Sequence, residues 1–246
     1  NIKDVKNAIS ENTKLVSIMY ANNELGTINP INEISEICNI NNIYMHTDAV
    51  QYIGKNDINL NKTNIDMVSI GAHKFYGPKG VGVLYIKNGI TVNPLLIGGG
   101  QEKGMSPGTE NPALISGMAH ALELSIGQLE KNSKHINEME QLFISLLNNT
   151  KIKYKINGQN RLKGFINITF FDYDGYSLLL NLDMNNIAIS YGSACSSGSA
   201  KASNALLATG MNEKIAKNTV RISIGNFITK DDIRKLVTTL EKIIVK

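Results

Sequence analysis

The strongest constraint on the fold is the alternation of short apolar runs with helical stretches through the first third of the chain. Leu15 to Tyr20 (LVSIMY) reads as a strand, and Pro30 can occupy the first turn of a helix whose apolar positions Ile31, Ile34, Ile37, Cys38 and Ile40 recur at helical spacing. Further strands are expected at Ile43 to Thr47, Ile65 to Ile70 and Gly80 to Ile86. Strands that alternate with helices settle side by side in a mostly parallel sheet with helices on its faces, so the predicted class is α/β. Cys38 is then a small core residue of the first of these helices.

The texture changes near Asn111. Pro112 opens a segment running to about Leu147, with apolar residues at helical spacing and a break expected near Gly127. FINITF (Phe165 to Phe170) reads as a strand with period-two alternation, Tyr176 to Leu182 as a helix, Val220 to Ile224 as a strand and Ala202 to Thr209 as a helical stretch. Thr229, with Asp232 three residues on, forms a capping-box start to a last helix with its stripe at Ile233, Leu236, Leu240 and Ile243. We expect two domains: residues 1–128, a part of a large sheet domain, and residues 129–246, a smaller α+β domain.

Composition excludes several classes. At 246 residues and 42% hydrophobic, the chain is neither a disordered tail nor a disulfide miniprotein. A formal charge of +4 is too small and too dispersed for a surface that tracks phosphates, so no direct nucleic-acid partner is expected. The two cysteines, Cys38 and Cys195, lie far apart, which gives neither a disulfide framework nor a zinc spacing and points to a reducing compartment. No apolar run approaches the roughly 20 residues of a membrane span, so no membrane partner is expected.

Chemistry concentrates in Ser69 to Gly82, SIGAHKFYGPKGVG. Lys74 follows a predicted strand, where open α/β sheets bind ligands, and a lysine desolvated there can lose its proton and form a Schiff base. The neighbouring predicted strand ends in Asp48 within HTDAVQ, and an acid there can pair with a pyridinium nitrogen. Upstream, NNELGT places Asn22 and Asn23 at another strand end, where a side-chain amide can reach an aromatic ring oxygen. Singly, each has a plainer reading: a solvated loop lysine, a helix cap, an Asn-Gly turn. Together, strand ends bearing Asn, Asp and Lys describe a pyridoxal-phosphate site. Cys195 lies in YGSACSSGS, whose small neighbours argue against the burial usual for a free cysteine and favour an exposed thiolate. Arg221 in VRISIG suits a carboxylate bidentately, although a surface strand arginine is the plainer reading.

NNELGT, HTDAVQ, AHKFYGPKGVG, GGGQEKGMSPGTEN and GSACSSGS, in that order, resemble the cysteine desulfurases (NifS/IscS-like) of the class-V aminotransferases, fold-type I pyridoxal-phosphate enzymes. The resemblance runs from about Asn1 to the C-terminus. It implies that Lys74 carries the cofactor, that Asp48 pairs with the pyridine nitrogen and that Gln51 lies near the ring hydroxyl. It also implies Asn23 at the ring or substrate, His73 at the phosphate, Arg221 at the substrate carboxylate, and Thr109 reaching the phosphate of a partner's cofactor in a homodimer. Cys195 is then the residue that takes sulfur from L-cysteine as a persulfide, leaving L-alanine. The cysteine loop resembles the long mobile branch of the family. Its acceptor is an iron–sulfur scaffold, a tRNA-thiolation carrier or another sulfur acceptor. No metal site is implied beyond Cys195 as a transient iron–sulfur ligand. The compartment implied is the cytoplasm, or a mitochondrion or plastid in a eukaryotic source.

Two departures stand out. The position three before the lysine, often Ser or Thr in the family, is Gly71, and the loop usually written QERG-x-RSGT reads QEKGMSPGT, with Lys103, Ser106 and Pro107. Family members also have roughly a hundred more residues before this point, more than half a typical domain. The expectation is that the chain is the C-terminal part of a longer enzyme and by itself binds the cofactor poorly. A selenocysteine lyase, another aminotransferase, or an inactive fragment or sulfur-transfer subunit remain as alternatives.

Overall fold

The structure, a computed structural model, describes residues 1–192 and 201–245. The chain divides into two compact units, Asn1–Ala21 with Asn29–Leu129, and Asn22–Ile28 with Glu130–Lys246. The short NNELGT segment thus belongs with the second unit although the chain around it belongs to the first.

In the first unit, strands β1 (Leu15–Ser17), β2 (Tyr44–Asp48), β3 (Met67–Gly71) and β4 (Gly82–Ile86) form a sheet in that order among the described residues. β1 and β2 run parallel, joined by the helical crossover α2 (Ile31–Ile40), and β2 and β3 run parallel through a connection that carries the 3₁₀ turn Leu60–Lys62. β4 returns antiparallel, with Gly71 opposite Gly82. The connection from β3 holds only a 3₁₀ turn over Ala72–Phe75 and the GPKG bend, too little chain for a crossover helix, and so gives a mixed sheet, mostly parallel as expected. Ile31, Ile34 and Cys38 bury the inner face of α2, and Cys38 is fully buried as expected of a core residue. Pro30 stands at the N-cap, one residue before the first turn. Along β2, Met45 and Thr47 point into the core while His46 and Asp48 share the other face, the period-two consequence of the pleat. Helix α1 (Ile2–Ala8) precedes the sheet without a buried residue, and for that reason leaves no apolar stripe to read in the sequence.

Helix α3 (Pro112–Gly127) has Pro112 in its first turn and Asn111 as N-cap, its side chain accepting from Leu114 N–H at 3.1 Å. A second helix, α4 (Leu129–Asn148), follows the break at Gln128. No helix among the described residues is long and apolar enough to cross a membrane.

The second unit has an antiparallel sheet in the order β5 (Tyr154–Asn157), β6 (Phe165–Phe170), β8 (Thr219–Ser223), β7 (Ser190–Tyr191) among the described residues. Helices α4, α5 (Gly175–Asp183) and α8 (Lys230–Ile244) contribute Met139, Phe143, Leu178, Leu182, Ile233 and Leu240 to a core shared with Ile166, Ile168 and Phe170. Short helices α6 (Asn204–Ala208) and α7 (Glu213–Lys217) precede β8. The capping box of α8 is present: Thr229 N–H donates to Asp232 at 2.8 Å and Asp232 N–H donates to the Thr229 hydroxyl at 3.2 Å.

β6 differs from its reading in one respect. Its polarity alternates, but all six residues are buried. Ile166, Ile168 and Phe170 enter the apolar core, while Asn167 and Thr169 enter a buried polar ladder on the other face. There Asn157 Nδ2 donates to Asn167 Oδ1 and to Thr169 Oγ1, both at 2.9 Å, and Thr169 and Thr219 share a hydroxyl bond of 2.7 Å. Polar atoms satisfied in this way can be buried without the desolvation loss that would otherwise force them to solvent.

Candidate active site

Asp48 is the last residue of β2 and lies opposite Ser69 of β3. Its Oδ1 accepts from the Val50 N–H at 2.9 Å, which fixes the carboxylate at the start of the turn that follows, while the residue remains exposed. Gln51, in that turn, is buried. Lys74 sits in the 3₁₀ turn directly after β3, half-buried, with His73 exposed beside it. Carboxylate and amine therefore leave the carboxyl ends of adjacent parallel strands, where open α/β sheets bind ligands.

Two further residues of this unit escaped the sequence reading. Lys55 Nζ donates to the main-chain carbonyl of Gln51 at 3.1 Å and to that of Lys74 at 3.0 Å. Burial, and secondarily the charge of Lys74, push the Lys55 ammonium down to about 8. His46 spans the sheet: Nδ1 is 2.7 Å from the Ser17 hydroxyl of β1 and Nε2 is 2.9 Å from the Ser69 hydroxyl of β3. The signal for His46 was its i,i+2 relation to Asp48, which puts both on one face. Lys55 left no such signal, because its bonds run to main-chain carbonyls.

At Gly71 a β-carbon would meet Val50 Cγ1 at 3.4 Å and His73 Cε1 at 3.5 Å, ordinary van der Waals contact. Its backbone, at φ −124° and ψ 120°, is one that any residue adopts. The missing hydroxyl is thus not enforced by the fold.

In the second unit, Asn22 Oδ1 accepts from the N–H groups of Glu24 (2.9 Å) and Leu25 (2.8 Å), an Asx turn that sets the NNE segment. That turn frees Asn23 from capping duty; its side chain has no hydrogen-bond partner among the described residues. Arg221 of β8 is half-buried, and its guanidinium donates to Ser223 Oγ at 3.1 Å, to Ser190 Oγ at 3.0 Å and to the Asn23 carbonyl. The structure thus brings Arg221 and Asn23 together. Burial lowers the Arg221 pKa and the Glu24 charge opposes that shift. Glu24, not foreseen as a site residue, is only 6% exposed and accepts from the hydroxyl of Ser203, which is also the N-cap of α6. Its partner lies 179 residues away, a pairing no local pattern announces.

Thr109 is exposed in the stretch that also holds Leu95 and Ile97, which are 96% and 97% exposed. Cys195 lies outside the described residues.

Residues 1–236 match the family described as aminotransferase class-V. The chain belongs to the class-V aminotransferase family. Among its relatives in that family, cysteine desulfurase IscS of Clostridium botulinum (strain Hall) is 45% identical over 248 residues, covering 99% of this chain and 62% of the relative. A solved NifS-like protein superposes with a TM-score of 0.90 at 33% identity, covering 100% of this chain and 65% of the other. The structure of SspA in complex with cysteine gives a TM-score of 0.78 at 36% identity, covering 93% of this chain and 64% of the other. The chain thus spans less than two thirds of the length of these class-V relatives, and its mixed α/β architecture is that of NifS-like, fold-type I enzymes.

Proposed function

We propose that this chain serves a pyridoxal-phosphate-dependent cysteine desulfurase, converting L-cysteine to L-alanine and passing the sulfur to Cys195 as a persulfide. The observation that carries the reading is the placement of Lys74 and Asp48 at the ends of adjacent parallel strands, in a chain 45% identical to a cysteine desulfurase. The cysteine bound to the similar SspA supports the choice of substrate.

The residues present fit the cofactor. An exposed carboxylate already oriented by a main-chain N–H suits a pyridinium, and a half-buried amine on a short turn suits an aldehyde. Gln51 would serve the ring hydroxyl, Asn23 the ring or substrate, and His73 and a partner's Thr109 the phosphate. Bound, pyridoxal phosphate supplies an aldehyde for the substrate amine and a ring that takes up the electrons released at Cα.

The chain's own residues do the rest. Asp48 holds the proton on the ring nitrogen by charge pairing. Lys74 Nζ, as a free unprotonated amine, would take the proton from the substrate Cα as general base. Arg221 receives the α-carboxylate with guanidinium N–H groups beyond the three already bonded, since the group carries five donors. The Cys195 thiolate forms a bond to the substrate sulfur as the Cβ–S bond breaks. The electron pair of that bond stays with carbon, which is protonated to give alanine, and Cys195 keeps the second sulfur. The exposure of Leu95 and Ile97 beside the Thr109 loop supports a homodimer that buries them. The sulfur acceptor is an iron–sulfur scaffold or another carrier, and the two separated cysteines support a reducing compartment.

The test is alanine release from L-cysteine by the intact protein loaded with pyridoxal phosphate. Equimolar alanine and protein-bound sulfur are expected. Transfer of the amino group to a keto acid, without alanine from cysteine, would show a plain aminotransferase instead.

A further inference from the structure

We infer that Lys55 is a positioning residue for Lys74: its ammonium, bonded to the carbonyls of both Gln51 and Lys74, holds the lysine-bearing turn in register with the turn that follows Asp48. The inference rests on the proposed role of Lys74 as the amine that meets the cofactor aldehyde.

A short helical turn ends with carbonyls that have no partner inside it. Around Lys74 the Ala72 carbonyl accepts from Tyr76 and Gly77 N–H at the end of the turn itself, whereas two later carbonyls are satisfied from outside: Lys74 carbonyl by Lys55, and Phe75 carbonyl by the Ser125 hydroxyl of α3 at 3.2 Å. The approach of Lys55 is prepared by the residue before it. Gly54 has φ +76°, and a β-carbon there would lie 2.6 Å from Phe75 Cβ, so a glycine is required for the two turns to meet at this distance.

Capping alone does not call for a lysine. Ser125 shows that a neutral hydroxyl is enough at the neighbouring carbonyl, whereas a partly buried ammonium brings a desolvation penalty. That penalty is visible in the lowered proton affinity of Lys55. What the lysine adds is reach and two strong, charge-assisted bonds from one atom, joining the turn that carries Gln51 to the turn that carries Lys74. The direction in which Lys74 leaves the main chain is fixed by that joint. A reacting amine gains most from such pre-organisation, because misplacement of the order of an ångström lowers rates about 100-fold.

The test compares the intact protein with Lys55→Met, Lys55→Gln and Lys55→Arg, each incubated with pyridoxal phosphate, reduced with borohydride and mapped by peptide mass. The induced circular dichroism of the cofactor, per mole trapped, reports its orientation. In the parent protein, label is expected at Lys74. Lys55→Met should lower the yield at Lys74 about tenfold and weaken the dichroism per trapped cofactor, while Lys55→Arg, which keeps charged donors, restores both to within about twofold. If Lys55→Met does not fold, Lys55→Gln, which keeps an N–H donor without the charge, should show the same loss in smaller measure. Unchanged labelling and dichroism in Lys55→Met or Lys55→Gln, with only a lower melting temperature, would overturn the inference and leave the function reading standing. Absence of label at Lys74 in the parent would overturn that reading, and this inference with it.

Discussion

Asp48, Lys74 and His73 in the first unit stand at strand ends and on a short turn, exposed or half-buried, and few of their side-chain atoms are engaged. In the second unit the Arg221 guanidinium and the main chain of Asn23 are instead tied into a polar assembly that includes buried Glu24, Asn157, Asn167 and Thr169, with the Asn23 side chain left over. Asn167 Nδ2 donates to the Glu24 carbonyl at 3.3 Å, so the ladder that completes the core also holds the segment bearing Asn23. On the proposed roles, Asp48 and Lys74, which would exchange partners during the reaction, are left available, while Arg221, which would only bind and orient, is built into the fold.

Substituting one group in each unit separates the two roles. Lys74→Ala should lower kcat for alanine release by about 1000-fold or more, with a melting temperature close to the parent's, because it removes the base and leaves the fold untouched. Arg221→Lys should instead raise KM for cysteine by about 10- to 100-fold with a smaller change in kcat, since an ammonium cannot replace a bidentate fork. If the lysine variant changed KM alone and the arginine variant kcat alone, the assignment of roles would be reversed.

Stability measurements sharpen it further. Asn167→Ala removes one of the two partners of the Asn157 amide, strands the Glu24 carbonyl in a buried setting and should destabilise by about 1–3 kcal/mol in denaturant titration. Asp48→Ala, at an exposed position, should stay within about 0.5 kcal/mol of the parent while losing activity. Equal destabilisation by the two would show that the first unit also depends on its site residues for folding.

How far these contrasts were legible in the sequence differs between the units. The parallel strands, α2 and the position of Lys74 followed from apolar periodicity and from a lysine after a strand. β4 was legible as a strand at Gly80 to Ile86 of a mixed or mostly parallel sheet, but its antiparallel direction is set by the shortness of a loop and not by any side-chain pattern. Cys38 was correctly read as core from its place on the α2 stripe. In the second unit, the polarity of FINITF was plain but its burial was not, because Asn167 is satisfied by Asn157 and Glu24 from other parts of the chain. Lys55 and Glu24 were invisible for the same reason: their bonds run to main-chain carbonyls or to distant hydroxyls that carry no motif.

Two smaller effects refine the first unit. Lys55 titrates at about 8 when folded against an ordinary 10.5. Between those values the unfolded chain holds a proton that the folded chain has lost, so this group adds stability as pH rises through that window. The gain is about 3 kcal/mol as an order of magnitude, and the stability difference between parent and Lys55→Met should change by that amount between the two values. A difference independent of pH would contradict the buried ammonium. Gly71→Ser should be accommodated within about 0.5 kcal/mol, because the space and backbone there admit a side chain. The added hydroxyl should tighten cofactor binding by about three- to tenfold in fluorescence titration. No gain would remove Gly71 from the phosphate site.

The most direct test of the central claim is the site of sulfur transfer. The intact protein, loaded with pyridoxal phosphate, is given L-cysteine for a single turnover, and its peptides are weighed under conditions that preserve persulfides. The account predicts one added sulfur atom on Cys195, alanine in equal amount, and loss of both in Lys74→Ala. Alanine formed at the parent rate by Cys195→Ser, or sulfur found on a residue other than Cys195, would contradict it.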